Sequence, residues 1–208
     1  HGTTQEIIAG LPSHVRIVDL SADFRLHDAA SYEEWYGQPH RALELQKSAV
    51  YGLTELNRNA IQHAMLVANP GCYPTCALLP IIPLLEKGLI SPDAIIINAL
   101  SGISGAGRAA KQEMLFTELD SGVSAYGIGH HRHVAEMEQE MNTVIKTAYK
   151  KTPGVADIRI DFTPHLVPMT RGMLATIHVE ESLGAVLPLE EIHAYLASYY
   201  AAEPFVQI

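Results

Sequence analysis

The chain reads as an α/β protein with a mixed sheet and helices packed on it, and three observations carry that reading. Short β-branched runs alternate with longer apolar or amphipathic runs, the order that lays helices against a sheet. The longer runs carry helix punctuation, with Pro74 and Pro188 near starts and Gly10 and Gly88 at ends. With 208 residues, 48% hydrophobic and 18% charged, the chain holds enough apolar material for one large domain or two small ones.

Taken in order, "TQEIIAGL" predicts a helix closed by Gly10, and "VRIVDLS" (15–21) a buried strand. Residues 23–60 are mixed, aromatic and polar, and predict excursions at a functional edge more than regular structure. "HAMLVANPG" restores a strand. "YPTCALLPIIPLLEKG" predicts a helix that Pro80 and Pro83 must kink or interrupt. "DAIIINALS" is a β-branched strand, followed by the glycine loop "SGISGAGR", a helix near 109–118 and a loop, "DSGVSAYGIGHHRH". "HVAEMEQEMNTVIKTAYKK" places Met137, Met141, Val144, Ile145 and Ala148 on one helical stripe. Strands "DIRIDFTP" and "MLATIHVE" come next, then a last helix from Pro188. No internal repeat, low-complexity tract or polar linker interrupts this order.

Fourteen Lys and Arg against twenty-three Asp and Glu give a formal charge of −9, which argues against nucleic acid as a partner. Any bound anion should be small and locally held. The longest apolar runs are too short and proline-broken to span a bilayer. Two cysteines four residues apart make no disulfide framework, so a reducing, intracellular compartment is expected. The opening "HGTTQEII" has no initiator Met, basic stretch or cleavage site, and the polypeptide's start is expected upstream of it.

Four clusters could do chemistry. In "VANPGCYPTCALLP", Cys72 sits where a strand ends and a helix begins, and unpaired N–H groups there favour an anionic sulfur. Gly71 would allow a sharp turn that leaves the sulfur accessible. A free cysteine is as often a small buried hydrophobe, the reading preferred for Cys76 and left open for Cys72. "GHHRHVAEMEQ" offers His130, His131 and His133 as proton carriers, with Glu136 one helical turn beyond His133 to fix a tautomer. A solvated loop is the plain alternative; a metal site is not expected, because adjacent histidines do not converge on one ion. "SGISGAGR" is at best an anion-approaching loop with Arg108 and Lys111 nearby, and otherwise an ordinary turn. Arg25, in "DLSADFRL", could fork a phosphate or carboxylate, although an ion pair with Asp23 or Glu33 is the preferred reading.

Together "HGTTQEI", "DLSADFRL", "WYG", "VYGLTELNR", "VANPGCYPT", "SGISGAGR", "AYGIGHHRH", "EMEQ" and "RGMLATI" resemble, in the same order, the N-acetyl-gamma-glutamyl-phosphate reductase family of the semialdehyde dehydrogenase group. The resemblance implies the remainder of a Rossmann-type NADP-binding domain over 1–71. It implies an α+β catalytic and dimerisation domain over 72–208, like the C-terminal domain of glyceraldehyde-3-phosphate dehydrogenase. It implies NADPH-dependent reduction of N-acetyl-glutamyl 5-phosphate through a Cys72 thioester, in arginine biosynthesis. By the same resemblance His131 is the acid/base, chosen over His133, which points with Glu136. Arg25 and Arg108 hold the acyl-phosphate substrate, the N–H groups of Cys72 and Tyr73 meet the oxyanion, and His1, Gly2, Ser104 and Gly105 approach the cofactor.

A homodimer or homotetramer in cytoplasm or plastid stroma is implied as well. The family's opening glycine-rich turn and closing segment are not in this sequence, so feeble or absent reductase activity is expected of this polypeptide by itself. The competing expectations are a cofactor-free cysteine hydrolase or acyltransferase using Cys72 and His131, and an inactive oligomerisation fragment.

Overall fold

In the computed structural model, residues 2–107, 109–148, 157–182, 184 and 188–208 are described; the candidates His1 and Arg108 lie outside them. Helix α1 (Thr3–Ala9) leads to strand β1 (Ile17–Asp19), shorter than the run 15–21. Residues 23–60, expected to be irregular, instead hold helices α2 (Ala29–Tyr36) and α3 (Leu43–Ser48), strand β2 (Val50–Tyr51) and most of helix α4 (Thr54–His63). The signals for α2 were present: the Asp28 carboxylate accepts from the Ser31 N–H as an N-cap, and Gly37 ends the helix at φ 71°. Strand β3 (Leu66–Ala68) lies between β1 and β2, and both pairings are parallel.

Helix α5 (Cys72–Glu86) runs through Pro80 and Pro83 without the expected interruption. A proline at 83 removes the donor that Leu79 O would accept. The Tyr200 hydroxyl fills that place at 2.6 Å, and Tyr195 donates to Pro83 O at 3.1 Å. Both tyrosines belong to the C-terminal end, Tyr195 in helix α8 (Leu189–Tyr199) and Tyr200 at its cap.

Strand β4 (Ile90–Ser101) is the spine of a second, four-stranded sheet. It is followed by a 3-10 turn at Ile103–Ala106, another at Gln112–Met114 and the one-turn helix α6 (Phe116–Leu119), in place of one helix over 109–118. Strand β5 (Ser124–Ala125), helix α7 (His133–Ala148), strand β6 (Ile160–Leu166) and strand β7 (Met173–Glu181) complete it. Residues 149–151, expected to extend α7, lie outside the described residues. The sheet order is β5-β6-β4-β7, with β4 parallel to β6 and the other pairings antiparallel, so it is mixed as expected.

Side-chain alternation along β4 turns Ile95, Ile97 and Ala99 into the core and leaves Ile96 outside. The core side meets α5 through Leu78, Ile81 and Leu85 and α7 through Met137, Met141 and Ile145, the predicted stripe. Tyr51 and Leu53 join this same core, which binds the three-stranded region to the four-stranded one. A second cluster, Ile8, Phe24, Leu66 and Ala68, lies within the three-stranded region. Strand ends, the start of α5 and the start of α7 thus converge on one cleft.

Candidate active site

Cys72 is the first residue of α5 and is exposed, whereas Cys76, one turn on, is half-buried with its thiol pKa raised by burial. No side chain caps α5, and Pro74 has no N–H to offer, so the Cys72 and Tyr73 N–H groups are without partners among the described residues. An anion next to the sulfur meets those two donors and the positive end of the helix. This is the arrangement an oxyanion requires.

Gly71 has an ordinary φ of −66°, so the sharp-turn reading is corrected: the glycine is required by a neighbour. A Cβ at this position would lie 2.4 Å from His133 Nε2. The imidazole of the first residue of α7 therefore rests directly on the backbone before the nucleophile. Its Nδ1 is buried without a hydrogen-bond partner among the described residues. Burial, then His131 and Arg25, hold the His133 pKa down to about 3.

His131 packs edge-on against Tyr73, Tyr126, His133 and Phe162. Its Nδ1 accepts the His133 N–H at 3.2 Å, which puts the proton of the neutral ring on Nε2. Burial, followed by Arg132 and His130, lowers its pKa to about 4. Both rings are neutral near pH 7, so His131 is set to donate from Nε2 and not to serve as a standing cation.

Glu136 does not hold an imidazole, contrary to the spacing argument. Its carboxylate accepts from the Gly71 N–H at 2.7 Å, the Tyr51 hydroxyl at 2.7 Å and Arg25 Nη1 at 3.4 Å. Three donors from other elements outcompete a side chain on its own first turn. Burial raises its pKa, while Arg25, the Gly71 N–H and the Tyr51 hydroxyl oppose the rise. Glu136 thus ties α7 to the turn that presents Cys72.

Arg25 pairs with Glu136, 111 residues away, and not with Asp23 or Glu33. Its Nε donates to Asn69 O at 2.7 Å and its Nη2 to Leu20 O at 3.3 Å. It borders the cleft, yet each nitrogen already has a partner. Arg132, not chosen as a substrate ligand from sequence, lines the same cleft over the Tyr36 ring at 5.1 Å, with no carboxylate partner among the described residues. The signal was its place between the two histidines.

The cleft has a volume of about 610 Å³ and is bordered by Cys72, His131, His133, Arg132, Lys111 and Gly105 among others. Four successive N–H groups of the glycine loop are already taken by carbonyls. The N–H groups of Gly102, Ile103 and Ser104 donate to the carbonyls of Gly172, Met169 and Thr170, and that of Gly105 to Gly102. Ser104 is outside the cleft lining, and the Gly2 N–H is held by the Asp23 carboxylate at 2.8 and 2.9 Å. Gly105 is different: it faces the cleft, and a Cβ there would meet Ser101 Oγ at 2.7 Å. The absent side chain makes room for the Ser101 hydroxyl and leaves bare backbone at the cleft wall.

Known proteins are similar to this chain. The family described as "Semialdehyde dehydrogenase, dimerisation domain" matches residues 72–208. Over all 208 residues the chain is 53% identical to a probable chloroplastic N-acetyl-gamma-glutamyl-phosphate reductase of Arabidopsis thaliana, covering 49% of that protein. It is 51% identical over 213 aligned positions to the N-acetyl-gamma-glutamyl-phosphate reductase of Rhodospirillum rubrum, covering 57% of it. The chain thus spans about half the length of the curated relatives it matches. Among solved structures, aspartate semialdehyde dehydrogenase II from Vibrio cholerae aligns with a TM-score of 0.53 at 14% identity, over 90% of this chain and 62% of that one. That likeness concerns the fold. On the match across 72–208, the chain belongs to the semialdehyde dehydrogenase family.

Proposed function

We propose that this chain carries the catalytic half of an NADPH-dependent N-acetyl-gamma-glutamyl-phosphate reductase of arginine biosynthesis, with Cys72 as nucleophile. The observation that carries the reading is the exposed Cys72 sulfur at the uncapped start of α5, in one cleft with His131, His133 and Arg132. The Cys72 thiolate attacks the acyl-phosphate carbonyl, the Cys72 and Tyr73 N–H groups meet the oxyanion, and phosphate leaves as a thioester forms. Arg132 and Lys111 face the departing anion. His131 donates a hydrogen bond from Nε2 to the developing oxyanion and holds it until the Cys72–carbon bond of the hemithioacetal breaks, the electron pair leaving with the sulfur as thiolate.

Gly105 would stand against a bound nicotinamide, which would supply hydride for reduction of the thioester to the aldehyde level. Gly105 belongs to that contact, while Gly2 and Ser104 do not offer their N–H groups to it. The division at residues 71 and 72 into a partial dinucleotide-binding domain and a catalytic domain is part of the same proposal. So is a homodimer or homotetramer, supported by Ile96 and Leu174 on the open face of the four-stranded sheet. The named relatives, chloroplastic and bacterial, support plastid stroma or cytoplasm as the compartment. No described helix is long and apolar enough to cross a membrane.

The test is phosphate-dependent reduction of NADP with N-acetyl-glutamate 5-semialdehyde, the reverse reaction. It should proceed with this sequence joined to a glycine-rich dinucleotide-binding segment from one of the relatives and vanish on Cys72→Ser. Turnover that survives Cys72→Ser would overturn the reading.

A further inference from the structure

A second cavity of about 370 Å³ lies beside the Cys72 cleft, walled by Met114, Leu119, Ala125 and Leu166. It shares Ala106, Lys111 and Tyr126 with the cleft, so the two spaces adjoin. The Tyr126 hydroxyl is engaged with that of Tyr73 at 2.7 Å, which leaves the Tyr126 ring as an apolar partition. Nothing in the chemistry at Cys72 uses this cavity.

From it we infer an acyl subsite, one that takes the aliphatic chain of an N-acyl-glutamyl substrate and admits chains longer than acetyl. The inference rests on the reductase reading and extends it to substrate range. Ser124, Ala125 and Tyr126 are consecutive, and side chains in a strand alternate between faces, so a cavity touching all three runs along the strand's edge. β5 is an edge strand of its sheet. The Tyr126 N–H donates to Pro164 O, which sets the antiparallel alternation and turns the N–H and C=O of Ala125 away from β6. Unpaired edge groups of this kind receive another amide, and the N-acyl amide is the one such group on the substrate. Beyond the amide the walls are apolar, with Met114, Leu119 and Leu166 facing the space. A volume of about 370 Å³ matches pockets that enclose whole small ligands, ~300–1,000 Å³, and exceeds what two acetyl carbons fill.

The test needs no cofactor. Alkylation of Cys72 by iodoacetamide is followed by mass spectrometry in the presence of L-glutamate and its N-acetyl, N-butyryl and N-hexanoyl derivatives. Protection should strengthen along the series, with N-hexanoyl-glutamate effective at a concentration about tenfold or more below that of N-acetyl-glutamate, as burial of added methylenes requires. Ala125→Trp, which fills the cavity, should erase that gradient. Should the variant fail to fold, the series on the unsubstituted protein decides. Protection that is absent, equal to that by L-glutamate, or weaker with longer chains would overturn the subsite. Thiol-dependent turnover without a chain-length gradient would remove the subsite and leave the reductase reading intact; a gradient without hydride transfer would do the reverse.

Discussion

The turn into α5 and the turn after β4 both leave a strand through glycine, and both read in sequence as places for an anion. In the first, the N–H groups of Cys72 and Tyr73 have no partners among the described residues. In the second, the N–H groups of Gly102, Ile103, Ser104 and Gly105 are all bonded to carbonyls. Glycine content does not make an anion site; the destination of the backbone N–H groups does. The glycines also serve different ends. Gly71 admits an imidazole, while Gly102 admits the backbone of residue 171, whose nitrogen would lie 2.9 Å from an added Cβ.

The sharpest way to break this contrast is at the nucleophile. Cys72→Ser should abolish turnover in the reverse assay, a loss of at least about 10³-fold, because an unactivated hydroxyl is a far weaker nucleophile than a thiolate. Glu136→Ala should cost about 3–5 kcal/mol of stability by leaving buried Arg25 unpaired, measured by urea unfolding. Gly71→Ala should displace the His133 ring and cut turnover about 10²-fold. Gly102→Ala, by contrast, should lower the melting temperature while leaving the rate of Cys72 alkylation within about twofold of the unsubstituted protein.

Acidification separates the regions more gently. The pKa values of His131 and His133 in the fold lie below the ordinary 6.5, at about 4 and about 3. On acidification the unfolded chain takes up protons first. Their contribution is intact above pH 6.5 and is lost as pH falls toward 4 for His131 and 3 for His133. Buried Glu136 and Glu140, whose pKa values are raised by burial, act in the opposite direction over the same range, so the check is a difference: between pH 6.5 and 4.5 the urea midpoint of His133→Phe should fall less, or rise more, than that of the unsubstituted protein. The smallest effect should be at Ser104, exposed on the glycine loop, where Ser104→Ala should change stability by no more than about 0.5 kcal/mol.

Much of this was legible in the sequence because it is local. The α7 stripe, the mixed order of strands and helices and the helix start at Cys72 follow from spacing and punctuation. What was not legible depends on partners far along the chain. Arg25 and Glu136 meet across 111 residues, and Tyr200 reaches Leu79 across 121, which is why proline at 83 leaves α5 unbroken. The neutral state of the two histidines arises from burial, which only the packed structure supplies. The helices within 23–60 were a different failure, since Asp28, Ser31 and Gly37 carried the cap signals but were outweighed by the polar and aromatic content around them.

The central claim is that Cys72 captures an acyl group in this cleft, and it can be tested without hydride transfer. The protein is mixed with N-acetyl-glutamyl 5-phosphate in the absence of NADPH, quenched in acid and mapped by peptide mass spectrometry. The account predicts an N-acetyl-glutamyl adduct on Cys72, released by hydroxylamine and missing in Cys72→Ser. An unmodified Cys72, or label divided equally between Cys72 and Cys76, would contradict it.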